Sequence, residues 1–208
     1  MARSSANPYH GSRGAALARL AAWAGVACPL AVAAVLGAAG WLSPRYDPVR
    51  TTLSHLGQRG QPFALEVNLS FAALGLTYVA VGWALGRSLG RPGWSGAVVL
   101  TVAGLALVGV ALVSRDPVHP VPHRAVALVL FLALAVAPLL VAAPLRASPR
   151  WRRHGVLSVA VVAASFVLLV IGVGGVVHGG LPAGAWERLY TAVNLVWLTA
   201  LAAGLLRE

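Results

Sequence analysis

The residues of this chain that could do chemistry are few, and their densest group is SRDPVHPVPHR at residues 114–124. Asp116, His119 and His123 combine a carboxylate with two imidazoles, which are the ligand types of a catalytic zinc site. The two histidines are four residues apart, but Pro120 and Pro122 exclude a regular helix between them. In an extended proline-rich segment the imidazoles would lie roughly 12 Å apart, and only a turn would bring them together. The segment is therefore either part of a metal site or a stiff loop between two helices.

Groups elsewhere in the chain could complete such a site. Further histidines could act as metal ligands, and a carboxylate could serve as a ligand or as a general base. Ser54 could orient a lipid phosphate or ester. The catalytic candidates are Asp47, Ser54, Glu66, Asp116, Glu187 and Arg188, and the candidate metal ligands are His55, His119, His123 and His178. Zinc is the cofactor implied by this hypothesis, and the reaction would be hydrolysis or modification of a lipid.

The composition places these residues in a membrane protein. Apolar residues make up 59% of the chain, charged residues 10%, and the mean hydropathy is +0.80. Soluble domains contain about 45–50% apolar and about 25% charged residues. The net charge of +11 comes from arginines in short segments between long apolar runs. This pattern favours orientation in a bilayer and contact with membrane lipids, and we expect no nucleic-acid partner.

Six apolar stretches reach the length of about 20 residues that a membrane-spanning helix needs. They cover approximately residues 20–42, 63–86, 94–114, 123–145, 153–177 and 186–206. The connections are short except for 43–62, so consecutive helices should be neighbours in one all-α bundle. We expect residues 1–17 to form a disordered cytoplasmic tail and residues 18–208 to form a six-helix transmembrane domain.

Arginine is distributed unequally between the two predicted faces of the membrane. Segments 1–19, 87–91 and 146–153 together with Arg207 hold ten arginines, whereas segments 45–59 and 115–124 together with Arg188 hold six. Basic residues are retained in the cytoplasm, so we predict a multi-pass protein of the cell membrane with both termini inside. Four of the five carboxylates then lie at the outer face.

Two polar stripes are expected to descend from that outer face. Glu66, Ser70 and Thr77 recur at helical spacing on the second span, as do Glu187, Thr191 and Asn194 on the sixth. Polar groups within a span usually face the interior of a bundle or a wet cavity. The stripes therefore predict an outer pocket, with Asn194 as one candidate binding residue.

Three functions are compatible with these residues. The favoured one is a structural bundle that interacts with lipid or supports a partner membrane protein, in which His123 and Arg124 cap the fourth span among headgroups. Arg124 is then a second candidate binding residue. The alternatives are the metal-dependent membrane hydrolase and a module that binds or transports a small molecule or protons. A homo-oligomer or a membrane-protein partner stays open.

Several short motifs occur in a characteristic order. They are Tyr46-Asp47-Pro48, Leu53-Ser54-His55-Leu56-Gly57, Asn68 followed by Gly75-Leu76, Asp116 with His119 and His123, and Glu187-Arg188. In this order the chain resembles the bacterial and archaeal membrane proteins grouped as domain of unknown function 998. The resemblance covers residues 20–206 and implies a six-helix integral membrane protein without an assigned reaction. It adds Asn68 as a candidate binding residue.

Overall fold

The computed structural model describes residues 8–116 and 118–207, apart from the side chains of 8–12 and 176–178. Within these ranges the chain forms seven α-helices and one 3-10 turn at Arg91–Gly93. The helices are α1 Pro8–Leu42, α2 Leu53–Leu56, α3 Ala64–Leu89, α4 Trp94–Leu112, α5 Val121–Ala147, α6 Arg152–His178 and α7 Ala183–Leu205. All except α2 are long and apolar enough to cross a membrane. The all-α fold and its six candidate spans are thus confirmed.

The first helix begins earlier than the sequence predicts. It starts at Pro8 rather than near residue 20, so residues 8–17, which we expected to be disordered, are helical. Residues 1–7 of the expected tail lie outside the described residues. Alanine has the highest helix propensity, and extending an existing helix needs no new nucleation. Ala15, Ala16 and Ala18 therefore extend the helix of the span, and the helix continues over residues 8–14, which contain no alanine.

Close approach of glycine backbones joins α3 to α4. A Cβ placed on Gly75 would lie 2.5 Å from the carbonyl oxygen of Gly104, and one on Gly104 would in turn meet the carbonyl of Gly75. Small residues allow this kind of contact between membrane helices, which gain little from the hydrophobic effect. The two glycines therefore set the crossing of these two helices.

The six long helices pack in a closed ring. Neighbours in sequence are neighbours in the ring, from α3 through α4, α5 and α6 to α7, and α1 closes it by packing against both α7 and α3. The outer surface carries exposed aliphatic and aromatic side chains such as Leu20, Leu76, Leu105 and Phe166. Such a surface suits a lipid environment rather than water.

The connection between α1 and α3 is folded. Residues 43–63 contain α2 and lie at the end of the bundle where α1, α4 and α6 end and α3, α5 and α7 begin. This end is called the polar end below. The sequence predicted the length of the connection but not the helix within it, because four residues are too few to show a period.

Candidate functional site

Arg188 of α7 binds the folded connection at the polar end. Its guanidinium donates hydrogen bonds to the carbonyl oxygens of Pro48 (2.6 Å) and Thr51 (3.1 Å), and also to Gly184 of its own helix (3.0 Å). It donates a further hydrogen bond to the hydroxyl of Tyr46 and lies 5.4 Å from the centre of that ring. Arg188 thereby holds the chain around residues 46–51 against the start of α7.

Tyr46 extends this contact. Its hydroxyl lies within hydrogen-bonding distance of the carbonyl oxygens of Thr51 and Thr52, at 3.3 and 3.2 Å. Burial raises the pKa of the Tyr46 phenol, although the hydrogen bond and the charge of Arg188 oppose that shift. The phenol therefore stays protonated at neutral pH and can act as a hydrogen-bond donor.

Glu187 binds the same connection one residue further along. Its carboxylate accepts a hydrogen bond from the backbone N–H of Leu53, the first residue of α2. Thr52, which precedes α2, makes no capping bond with its own side chain. A carboxylate is favourable at a helix N-terminus, where N–H groups lack partners within the helix. Glu187 therefore caps α2 from a different helix.

A partly open cavity of about 500 Å³ lies among α1, α3, α4, α5 and α7. Its wall is formed largely by aliphatic and aromatic side chains of α1, α3, α4, α5 and α7, including Leu36, Phe71, Leu107, Leu134 and Trp186. The lining of α5 runs from His123 to Leu134, which is roughly 16 Å along the helix at ~1.5 Å per residue. The volume falls within the range of about 300–1,000 Å³ that is usual for small-molecule sites.

Polar side chains line the cavity at the polar end. They are Thr52, Ser54, Arg115, His123, Arg124, Glu187 and Thr191. Arg115 donates a hydrogen bond of 2.7 Å to the hydroxyl of Thr52. His123 is buried, and its Nδ1 donates to the carbonyl oxygen of Val113 over 2.7 Å. The cavity is therefore amphipathic, with its charged groups gathered at one end.

Deeper in the bundle, Asn194 also lines the cavity. Its amide nitrogen donates to the carbonyl oxygen of Tyr190 (3.0 Å) and to the hydroxyl of Ser165 (3.4 Å). The Asn194 carbonyl oxygen is buried without a hydrogen-bond partner among the described residues. Nearby, Phe131 packs against both Trp186 and Tyr190, and the Tyr190 hydroxyl donates to the Phe131 carbonyl over 2.6 Å. These contacts tie α5 to α7 across the cavity.

Nearly the whole chain matches one protein family. The family described as "Protein of unknown function (DUF998)" matches residues 11–204. The chain belongs to the DUF998 family. No curated protein and no solved structure matches the chain significantly. The predicted resemblance is thus confirmed, and the geometry above is that of a DUF998 protein.

The structure brings five of the predicted site residues of this DUF998 chain to one cavity. These are Ser54, His123, Arg124, Glu187 and Asn194. Thr191 also lines it, so the predicted stripe on the last helix faces the interior. Sequence reasoning missed Arg115 and Thr52, since nothing in their spacing relates them to α5 or α7.

The other predicted stripe does not line the cavity, although Thr77 within it is buried. Glu66 is exposed at the start of α3, and the cavity lining does not include it. Ser70 and Thr77 donate to carbonyl oxygens of their own helix, at Val67 (2.8 Å) and Ala73 (2.9 Å). The expectation that this stripe descends into an outer pocket is therefore wrong, because short hydroxyl side chains are satisfied within the helix.

Asp47 and Asp116 accept the same pair of hydrogen bonds from backbone N–H groups two and three residues further along. Asp47 accepts hydrogen bonds from the N–H groups of Val49 (2.8 Å) and Arg50 (3.3 Å). Asp116 accepts them from Val118 (2.7 Å) and His119 (3.3 Å). The Val118 and His119 N–H groups lower the pKa of Asp116. Both carboxylates thus open turns, and neither lines the cavity.

Asn68 also has a local partner at the polar end. Its side-chain amide donates to the carbonyl oxygen of Gly57 over 2.8 Å. A Cβ on Gly57 would collide with the Asn68 amide. The pair therefore holds the end of α2 against α3.

The histidines have separate partners. Exposed His119 lies 3.5 Å from Asp116, whereas His55 lies 3.2 Å from the side-chain amide of Gln61. Burial and the charge of Arg115 lower the pKa of His55. The side chain of His178 lies outside the described residues. Across the described part of the chain, no three His, Cys, Asp or Glu side chains form a group that could hold a metal ion.

Proposed function

We propose that this DUF998 protein binds one amphipathic, lipid-like ligand in the cavity lined by five of its six long helices. The observation that carries this proposal is the amphipathic lining of the cavity, which is apolar inside the bundle and charged at the polar end. A single acyl or prenyl chain matches the apolar wall, and a head group matches the polar end. The sequence favoured a bundle that interacts with lipid or supports a partner protein, and this proposal specifies the lipid interaction.

The cavity argues for ligand binding over purely structural support. Protein interiors are close-packed, and voids larger than a water molecule are few. A partly open cavity of about 500 Å³ leaves its apolar lining without protein packing partners on that side. A bundle that serves only as a scaffold has no use for such a void, whereas a ligand would fill it.

The alternative functions gain less support from the same residues. Zinc hydrolysis needs several ligands around one point, and no such group occurs in the described part of the chain. Transport by alternating access usually places its polar groups near the bilayer midplane. Here the charged cavity residues gather at one end.

The proposal is tested by filling the cavity. Ala127 lines the cavity on α5, whereas exposed Ala125 of the same helix does not. We expect Ala127→Trp to abolish co-purification of bound lipid in native mass spectrometry, and Ala125→Trp to leave it unchanged. Wild-type protein that carries no lipid and takes up none of a panel of single-chain amphiphiles would refute the proposal.

We also propose that the polar end faces outward in the cell membrane, with both termini in the cytoplasm. The support is the arginine excess at the opposite end, ten residues against six. The test uses single cysteines at positions 58 and 148 in a Cys28→Ala background. We expect an impermeant thiol reagent to label position 58 from outside, and outside labelling of position 148 would reverse the orientation.

A further inference from the structure

We infer that the polar end of the cavity is a phosphate-binding subsite, so that the ligand of the proposed function carries a phosphate head group. The inference rests on the proposed function for the apolar tail of the ligand. It rests on separate observations for the head group itself. These are two arginines, one buried histidine and the start of a long helix, all of which border the same end of the cavity.

The two arginines have unused donor capacity. Arg124 is exposed and lines the cavity, and its guanidinium has no hydrogen-bond or ion-pair partner among the side chains and backbone that the structure describes. Arg115 uses one nitrogen for the hydroxyl of Thr52, which leaves the rest of its guanidinium for another acceptor. A guanidinium has five N–H donors in a planar fork that suits phosphate oxygens. The two side chains can therefore contact more than one oxygen.

His123 supplies an acceptor nitrogen that is held in place. It is 7% exposed, and its Nδ1–H donates to the carbonyl of Val113. A carbonyl only accepts, so this bond assigns the proton to Nδ1 and holds the ring in place. Nε2 has no partner within the described part of the chain, and the residue lines the cavity. Nε2 is thus an acceptor to which a polar group of a ligand or of solvent can donate.

The helix that carries these residues begins at the same place. α5 starts at Val121, and Pro120 before it makes no side-chain capping bond. The first N–H groups of a helix have no acceptor within it and favour an anion. Pro122 has no N–H, so the backbone donors of this turn are those of Val121 and His123. Pro120, His123 and Arg124 all line the cavity, which places this helix start at its polar end.

The charge balance at this end favours an anion. Glu187 is the one carboxylate among the lining residues, and it accepts a hydrogen bond from the N–H of Leu53 at the start of α2. Arg115 and Arg124 therefore outnumber it. A carboxylate ligand offers two oxygens, whereas a phosphate offers three or more to the two forks and the helix start, and a singly ionised phosphate also has an O–H that can donate to Nε2 of His123. The donor set is thus larger than a carboxylate can use.

Calorimetry of the full-length protein in an uncharged detergent tests the inference. The probes are dodecyl phosphate, dodecanoate, 1-dodecanol and inorganic phosphate, with Ala127→Trp as the background for partition into micelles. We expect dodecyl phosphate to bind most tightly. Arg124→Gln should weaken that binding about tenfold or more, the loss expected for a charge-assisted hydrogen bond. Arg59→Gln, which removes an exposed arginine at the same end, should leave it unchanged.

Each outcome decides between the two proposals. Equal affinity for dodecyl phosphate, dodecanoate and dodecanol, with no effect of Arg124→Gln, overturns the phosphate subsite and leaves the proposed function standing. Inorganic phosphate that binds as tightly as dodecyl phosphate supports the subsite but overturns a lipid as its source. Failure of every amphiphile and of phosphate to bind overturns both.

Discussion

Replacing Arg188 by leucine should release the folded connection from the start of α7. The guanidinium makes hydrogen bonds to three carbonyl oxygens, at Pro48, Thr51 and Gly184, and one to the Tyr46 hydroxyl. Leucine keeps an apolar side chain of moderate size but leaves all four groups without this donor. The connection also supplies Thr52, Leu53 and Ser54 to the cavity lining, so the change should reach the proposed site.

The magnitude follows from the number of bonds. Each intramolecular hydrogen bond contributes about 0.5–1.5 kcal/mol net. Bonds made by one side chain are not additive, and Arg188 is partly exposed, so we expect a total of about 2–4 kcal/mol rather than the full sum. At ~1.4 kcal/mol for each factor of ten, the lower value corresponds to roughly 30-fold more frequent opening of the connection.

Amide hydrogen exchange measures this opening directly. The reporting groups are the N–H of Thr51, which bonds the Asp47 carbonyl at 2.8 Å, and the N–H of Ala185, which bonds the Val49 carbonyl at 2.9 Å. We expect both to exchange faster in Arg188→Leu, while amides within α4 keep their protection. Arg59→Leu serves as the matched control, since Arg59 is exposed in the same connection. Unchanged exchange at both reporters would show that Arg188 does not hold the connection.

Two further predictions concern packing and pH. Gly75→Leu should lower the melting temperature by several degrees, because its side chain would meet the backbone of Gly104, whereas Gly37→Leu should not, since nothing lies within 4 Å of a Cβ at Gly37. Equal melting temperatures for the two variants would contradict the close helix crossing. Burial and the charge of Arg115 lower the pKa of His55 below its ordinary 6.5, so stability should fall as the pH drops below that value, where the unfolded chain binds the proton first. In Arg115→Gln the pKa of His55, followed by NMR of its ring protons, should rise towards 6.5, and an unchanged value would refute the electrostatic part of this explanation.

The two polar stripes show where sequence reasoning succeeds and where it stops. Both stripes have helical spacing, yet only the one on α7 lines the cavity as a whole. Periodicity identifies a face of a helix but not the neighbour that this face meets. Glu66 is in the first turn of α3 and remains exposed, whereas Glu187 lies opposite α2 and finds a partner there. The difference comes from the path of residues 43–63, which no local pattern encodes.

For the segment around Asp116, too, the sequence predicted the local turn but not the tertiary contacts of its side chains. Its prolines predicted a stiff turn, and the Asp116 carboxylate accepts a hydrogen bond from the Val118 N–H, as that of Asp47 does from Val49. The sequence treated His119 and His123 as a pair, but His119 is exposed beside Asp116 and His123 is buried at the start of α5. The sequence did not predict Arg115 as a site residue, although it lines the cavity.

The amino-acid sequence by itself determined that six apolar helices form the chain, that most of its carboxylates lie towards one end of them, and that it resembles the DUF998 family. These properties depend on length, composition and local pattern, which act within a few turns of helix. Tertiary structure decided that the helices close into a ring around a cavity, and that Thr52, Arg115, His123 and Glu187 meet at one end of it. The hydrogen bond from the Leu53 N–H to Glu187 at this end joins residues 134 positions apart. Such contacts depend on which helix faces pack together, and only the packed bundle specifies that.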